Sequence, residues 1–333
     1  MPGPPPEGDD GAVASAPPAA ASPVAPTPNA LPRRRGRRIL LRVLAVVVGA
    51  PSLLAALFVF NGLVLASGET PRLGELAHAG EPPPASGREV TIVAYNIAKA
   101  WAHRSGLRFA SREKVRRTLD EMGALVAEQK PDLVFLSEAL KECGPCEVDQ
   151  VRAIADKAGL RYWAFGENYN VGIPFFRIAG GNAILSRFPL RGVSNLPLPG
   201  RKPFWVTTNN RRFLLCEADV GGRPLLLGAM HTDSFSVRNN ARHTARILEL
   251  TAGRDLLLAG DYNARPHESS MLAIKASGRF VGAMEGPWTH KTYGRTSRID
   301  YVLAPPGWTH LETQVIENDV SDHRPVVARF RVP

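Results

Sequence analysis

Six short polar peptides in this chain each fall where an apolar run ends: Tyr95-Asn96, Ser137-Glu138, His231-Thr232, Asp261-Tyr262-Asn263, Arg298-Ile299-Asp300-Tyr301 and Ser321-Asp322-His323. The run Leu256-Leu257-Leu258-Ala259-Gly260 leads straight into Asp261, and Ala94 and Leu136 lie just before Asn96 and Glu138. Carboxylates and imidazoles at the ends of buried strands are costly to place unless they hold a metal or take part in chemistry. Distributed from residue 95 to residue 323, the six peptides predict one pocket assembled at the edge of a sheet. That is the pattern of an enzyme.

The elements that must position these peptides follow from the apolar spacing. Strands are expected at 90–94, 132–136, 162–165, 182–185, 213–220, 224–230, 255–259, 299–303 and 325–332. Val115, Leu119, Met122, Leu125 and Val126 repeat at helical spacing, with Ser111 as N-cap and Pro131 as a stop, so 111–129 is a helix. Helices are also expected at 147–158 and 236–250, and Gly221-Gly222 reads as a hairpin turn. Alternating strands and helices, then hairpins, then strands again predict an α+β chain with two packed sheets and helices outside. No internal repeat is evident.

The 333 residues are 44% hydrophobic, enough for a sizeable core. Residues 1–38 read as a disordered tail ending in Arg33-Arg34-Arg35-Gly36-Arg37-Arg38, because the preceding Pro, Ala, Gly and Ser cannot bury a core. Residues 39–67 read as a transmembrane signal-anchor helix whose apolar stretch runs from Val43 to Ala66, with Pro51 as a kink. Arginines on its N-terminal side predict a single-pass cell-membrane protein with a cytoplasmic N-terminus and a periplasmic or extracellular catalytic domain. A signal peptide cleaved after Val64-Leu65-Ala66 is the alternative. Residues 68–88, with Glu81-Pro82-Pro83-Pro84, read as a linker and 89–333 as the catalytic domain. Of the net charge of +10, residues 1–42 account for +3; the remaining +7 suits an anionic substrate but also plain solubility.

The ordered peptides resemble those of the endonuclease/exonuclease/phosphatase superfamily, the group that contains DNase I, neutral sphingomyelinases and inositol polyphosphate phosphatases. The resemblance covers residues 89–333 and implies a DNase I-like fold, a four-layer α/β-β/α sandwich. It also implies a divalent-metal-dependent phosphoesterase that hydrolyses phosphodiester bonds by in-line attack of water. The resistant anionic ester calls for a cation on the phosphate and a positioned water. Glu138 suits a hard, oxygen-seeking ion, Mg²⁺ with Mn²⁺ as the alternative. Asn96 orients that carboxylate or touches the metal, and Asp322 lies beside the metal. By the resemblance, Asp261 orients or deprotonates the water, and Asn263 holds phosphate. Asp300 fixes the tautomer of His323, which contacts phosphate or helps activate water. His231 binds phosphate or supplies a proton to the leaving group, and Asn182 belongs to the wall of the substrate site. The substrate is a phosphate ester in a lipid, a nucleic acid or a small molecule, chosen by loops 99–110, 166–180 and 200–212. The membrane is engaged through residues 39–67, and nothing calls for an obligate protein partner.

Plainer readings stand beside these. Asp300 reads equally as an ion-pair partner of Arg298, Asp322 as a turn cap and His231 as a core histidine. Histidines 243 and 290 read as surface or loop, and Lys99, Arg104, Arg108 and Arg177 as an anion-binding rim or solvated surface. Abasic-site nucleases carry an acid two positions after the first Asn; Ala98 stands there, which leaves a single metal on Glu138. Zinc lacks a ligand set. Two other functions compete: a catalytically silent, membrane-tethered binding domain, and a thiol oxidoreductase using Cys143 and Cys146 of Cys143-Gly144-Pro145-Cys146.

Overall fold

The computed structural model describes residues 33–60, 68–77, 89–105, 108–173, 176–200 and 210–333. Of the tail expected to be disordered over 1–38, residues 1–32 lie outside the described residues, as do the end of the expected anchor at 61–67, most of the Pro-rich linker and much of the 200–212 loop, whereas residues 33–38 begin a helix.

The N-terminal segment is helical as α1 (Arg33–Leu44) and α2 (Ala50–Phe60), joined by a π turn at Ala45–Gly49. Pro51 explains the turn: its ring clashes with the carbonyl four residues back and it offers no N–H, so the ladder widens just before it. The 23-residue helical stretch Gly36–Phe58 contains an 18-residue window with a mean hydropathy of 2.2. At ~1.5 Å per residue that length is sufficient to cross a hydrocarbon core of about 30 Å.

The second unit begins with β1 (Arg72–Glu75) and β2 (Glu89–Asn96), followed by a tight turn at Ala98–Trp101 and the small hairpin β3 (His103–Ser105) and β4 (Arg108–Phe109). Next come α3 (Arg112–Glu128), β5 (Leu133–Cys143), α4 (Gln150–Lys157), β6 (Tyr162–Ile173), β7 (Phe176–Ser186), β8 (Leu190–Pro197), β9 (Arg212–Asp219) and β10 (Pro224–His231). The chain continues through α5 (Val237–Leu250), β11 (Leu256–Asp261), α6 (Ser269–Ala276), the hairpin β12 (His290–Thr292) and β13 (Arg295–Ser297), then β14 (Asp300–Leu303), β15 (Thr309–Val315) and β16 (Val326–Arg331).

Two sheets result. One has the order β1-β6-β7-β5-β2-β16-β15 and the other β14-β11-β10-β9-β8. Period-two alternation sorts their side chains. Ile92 and Ala94 of β2 and Leu257 and Ala259 of β11 face each other's sheet in one shared core. The intervening Val93 and Tyr95 pack on Val115, Leu119 and Met122 of α3 and Ile154 of α4. Leu256 and Leu258 pack on Ile247 of α5 and Ile274 of α6. This is the four-layer sandwich: helices, sheet, sheet, helices.

Residues 68–76, expected to be linker, are instead bound into this unit. β1 pairs antiparallel with β6, Arg72 meets Glu142, Glu75 meets Arg161, and Asn195 donates to the Gly68 carbonyl at 2.7 Å. A four-residue strand whose apolar content is one leucine gives no periodic signal, which is why the pattern missed it. The 166–180 segment is likewise not a loop but the long arms of β6 and β7.

Parallel pairing fixes where the site lies. β2 and β5 run parallel, as do β10 and β11, so Asn96 and Ser137 end side by side in one sheet and His231 and Asp261 in the other. Gly260 makes this approach possible: its φ is +131°, and a Cβ would sit 2.3 Å from the Met230 carbonyl oxygen. Gly260→Ala should therefore lower stability by about 2 kcal/mol or more, whereas Gly253→Ala, at φ +71° in an open turn, should cost about 1 kcal/mol. Urea unfolding of both variants checks this; equal effects would show that crowding at Met230 does not control the position.

Candidate active site

The six polar peptides converge. Asn96 at the end of β2 donates from Nδ2 to Asp261 Oδ2 of the opposite sheet at 3.0 Å, and both residues are buried. Its amide oxygen accepts from the Ala98 N–H at 3.0 Å. Both ends of the amide are thus engaged, and the carboxylate it orients is Asp261 rather than Glu138. Ser137 reinforces the seam by donating to the Met230 carbonyl at 3.0 Å.

Asp261 faces Asp300 across β11 and β14, where the two are in register. Two like charges side by side are unfavourable. His323 answers them: its Nδ1 is 2.9 Å from Asp300 Oδ2, and its Nε2 is 3.9 Å from Asp261 Oδ2. Thr289 donates to the same Asp300 oxygen at 2.7 Å while accepting the Ile299 and Asp300 N–H groups. Burial opposes a charge on His323, but Asp300 and its hydrogen bond, then Asp261 and Asp322, outweigh it and raise the imidazole to about 10. Burial and Asp300 push Asp261 up to about 7, against the pull of His323, the Asn263 N–H and Asn96. Asp300 pairs with His323 and not with Arg298, whose guanidinium donates to the Pro287 and Ala283 carbonyls.

Glu138 does not end its strand. It sits at a bulge inside β5, between the Leu136↔Ala183 and Ala139↔Gly181 pairs, with φ +56°. Bulges re-aim a side chain, and here the carboxylate turns to Lys99 Nζ, with Oε1 3.7 Å from His231 Nε2. Burial would raise its pKa, but Lys99, His231 and Arg211 hold it well below the ordinary carboxylate range.

His231 is settled by a residue outside the sequence reading. Arg211 Nη1 lies 3.0 Å from His231 Nδ1. Arginine only donates, so Nδ1 must accept and the ring proton sits on Nε2. Burial and the neighbouring Arg211 charge push this imidazole well below its ordinary pKa, so it is neutral. Its Nε2–H points between Glu138 and Asp261 Oδ2, the latter at 3.6 Å.

Asn263, in a left-handed conformation at φ +45°, donates its N–H to Asp261 Oδ1 at 2.8 Å and its amide to the Thr232 carbonyl at 3.2 Å. Asp322 is less involved: among the described residues its carboxylate accepts a hydrogen bond only from Ser321, at 3.3 Å. Asn182 is further removed still. It is buried between the sheets and donates to the Arg212 carbonyl at 3.3 Å, a brace for the strand that follows Arg211.

Four participants lay outside the candidates read from sequence. Arg211 and Thr289 carry no local pattern, since their partners are remote in the chain. His290 is half-buried, and its ring lies tilted against His323 at 4.4 Å between centroids. His243 is buried on α5 and bonds to the Pro199 carbonyl at 2.7 Å. Lys99, read as part of a rim, is the partner of Glu138, and Arg177 is engaged by Asn170.

Cys143 and Cys146 do not form a redox centre of the thioredoxin kind. Both are free and buried, and α4 begins only at Gln150, capped by Asp149. No helix dipole therefore acts on either thiol, and burial with the neighbouring Cys146 pushes Cys143 up to about 12.

The donor set fits a hard divalent ion. Glu138, Asp261, Asp300, Asp322 and Asn96 offer oxygen, and the buried Asp300 Oδ1 has no partner among the described residues. Asp261, Asp300 and His323 have donor atoms within 4.8 Å of one another, but His323 already supplies that group's positive charge. Glu138, its side chain 25% exposed, is more open to solvent than Asp261 and Asp300.

This architecture and constellation define a phosphoesterase-type sandwich, and the sequence agrees. The profile of the Endonuclease/Exonuclease/phosphatase family matches residues 93–323, so the chain belongs to that family. Its members are metal-dependent hydrolases of phosphoester bonds. Among solved structures, an endonuclease/exonuclease/phosphatase from Beutenbergia cavernae DSM 12333 is 21% identical with a TM-score of 0.55, over 74% of this chain and 72% of that one. A family protein from Leptotrichia buccalis C-1013-b is 16% identical with a TM-score of 0.54, over 72% and 98%. D. rerio TDP2 in complex with a single-strand DNA product is 15% identical with a TM-score of 0.52, over 73% and 98%. At these identities the likeness is one of fold. No curated protein is similar enough in sequence to register as a relative.

The tautomer is testable. With ¹⁵N-labelled histidine, His231 should show the Nε2-protonated neutral pattern at neutral pH and keep it as pH falls below the ordinary imidazole pKa, and Arg211→Met should release the ring to mix tautomers. A wild-type spectrum with the proton on Nδ1 would contradict the Arg211 contact. Cys143→Ala should leave turnover within about twofold, since mutations away from the reacting groups rarely change it further.

Proposed function

We propose that this protein is a divalent-metal-dependent phosphodiesterase, tethered to the membrane through residues 39–67. Its substrate would be a phosphodiester in nucleic acid or a phospholipid head group. The observation that carries the reading is the juxtaposition of Asp261 with the His323–Asp300 pair on one side and Asn96, His231 and Glu138 on the other.

Each residue then has a task. Asp261, held by Asn96 and the Asn263 N–H, orients the attacking water and takes its proton. His323, kept cationic by Asp300, binds a non-bridging phosphoryl oxygen. His231 presents a fixed Nε2–H to the same group, a hydrogen-bond donor rather than the source of the leaving-group proton. Asn263 spends one amide N–H on Thr232 and has a second for phosphate. Glu138 holds the ion, Mg²⁺ in the first instance, with Asp322 in its surroundings. Bound there, a divalent ion supplies charge stabilisation for the phosphoryl group and the departing oxygen. The arginines before the apolar helix support a cytoplasmic N-terminus, with the catalytic domain on the opposite side.

Asp261→Asn and His323→Ala should each lower kcat by about 10²–10⁴-fold with KM changed much less, because both groups act mainly in the transition state. Across a panel of bis-p-nitrophenyl phosphate, plasmid DNA, sphingomyelin, phosphatidylinositol phosphates and monoesters, turnover of one diester class should appear, be lost in EDTA and return with Mg²⁺. Turnover that survives both substitutions would overturn the assignment, and turnover indifferent to chelation would overturn the metal.

A further inference from the structure

Lys99 occupies an unusual piece of backbone. Ala98, Lys99, Ala100 and Trp101 have φ of +44°, +58°, +47° and +53°, four consecutive left-handed residues without a glycine. L-residues visit this region singly and at a cost, so a run of four persists only where its surroundings over-determine it. They do so here. The Ala98 N–H is held by Asn96 Oδ1, the Lys99 carbonyl accepts from Gln150 Nε2 at 2.6 Å, and Trp101 Nε1 donates to the Val320 carbonyl at 2.7 Å. The result is a rigid pedestal whose one long side chain ends on Glu138.

Two of the cations beside the site's carboxylates differ in their access to solvent. His323 is buried, with the His290 ring tilted against it at 4.4 Å between centroids. Lys99 and Glu138 are 22% and 25% exposed, and the lysine stem has four rotatable carbons with water at its end. This pair is where a cation from solvent can be exchanged.

We propose that Lys99 is the resident counter-ion of Glu138, and that a divalent ion binds by displacing its ammonium from the carboxylate. The inference rests on Glu138 as the metal-binding group of the proposed function. Lys99 then acts as a positioning residue that keeps Glu138 aimed at the mouth while metal is absent. It also weakens metal affinity, because every ion must first break the Lys99–Glu138 pair.

Mn²⁺ and Mg²⁺ binding to the full chain in detergent micelles, measured by calorimetry and by the free-Mn²⁺ electron paramagnetic resonance signal, tests this without substrate. Lys99→Met removes the charge at constant length, and Lys99→Asn removes it with a residue that tolerates the left-handed region. Both variants should bind metal about tenfold more tightly than wild type or better, and adding Glu138→Gln to either should abolish the gain. Metal binding that is unchanged or weaker in both variants, with wild type binding, overturns the role of Lys99 and leaves the metal site standing. Absence of binding in all three proteins overturns the metal site itself, and the Lys99 inference with it.

Discussion

The arrangement depends on one buried hydrogen bond, from Asn96 Nδ2 to Asp261 Oδ2. Each residue ends a strand in a different sheet, so this contact converts two stacked sheets into one shared edge. Neither group could be left alone there. An unsatisfied carboxylate or amide in so dry a position costs several times what a hydrogen bond contributes net. The Ser137 bond to the Met230 carbonyl repeats the linkage one strand along. Sheet packing supplies the driving force, and these two bonds set the alignment between the sheets.

Charge is organised around that seam in two tiers. The inner tier, Asp261, Asp300 and His323, is buried and sets one imidazolium against two carboxyl groups. The outer tier, Glu138 with Lys99, opens to water. Between them stands a neutral His231, and its neutrality comes first from burial and then from Arg211, which blocks one ring nitrogen and raises the cost of a second positive charge. A histidine among carboxylates would ordinarily be drawn toward protonation. Here a buried guanidinium reverses the expectation, and the ring becomes a donor of fixed direction.

The catalytic-type peptides were legible because each interrupts an apolar run, and the strand order could be followed because β2, β5, β10 and β11 are almost pure hydrophobic segments. What stayed illegible depends on contacts between remote parts of the chain. Glu138 looked like a strand end, since a bulge leaves no mark in the sequence of β5. Nothing near Glu138 suggested its partner, which lies 39 residues earlier on a left-handed turn that Ala-Lys-Ala-Trp does not announce. Arg211 and Thr289 were invisible for the same reason. The anchor shows the opposite case: Pro51 was readable as a perturbation of the helix, and the structure resolves it as a π turn on its N-terminal side.

The edge strand β1 makes the chain's processing consequential for its fold. Arg72–Glu75 completes the seven-stranded sheet by capping β6, yet it lies on the far side of the Pro-rich segment from β2. A break before Gly68 leaves every strand of the domain on one piece. A break within 78–88 divides the domain instead: β1 is then held without a covalent link, by its ladder, the Arg72 and Glu75 ion pairs, the bonds of Asn195 to Gly68 and Glu69, and buried Leu76. If it departs, the backbone of β6 is bared as an open edge, the feature through which sheets recruit other chains. A break within 78–88 thus bears on the sheet in a way that a break before Gly68 does not.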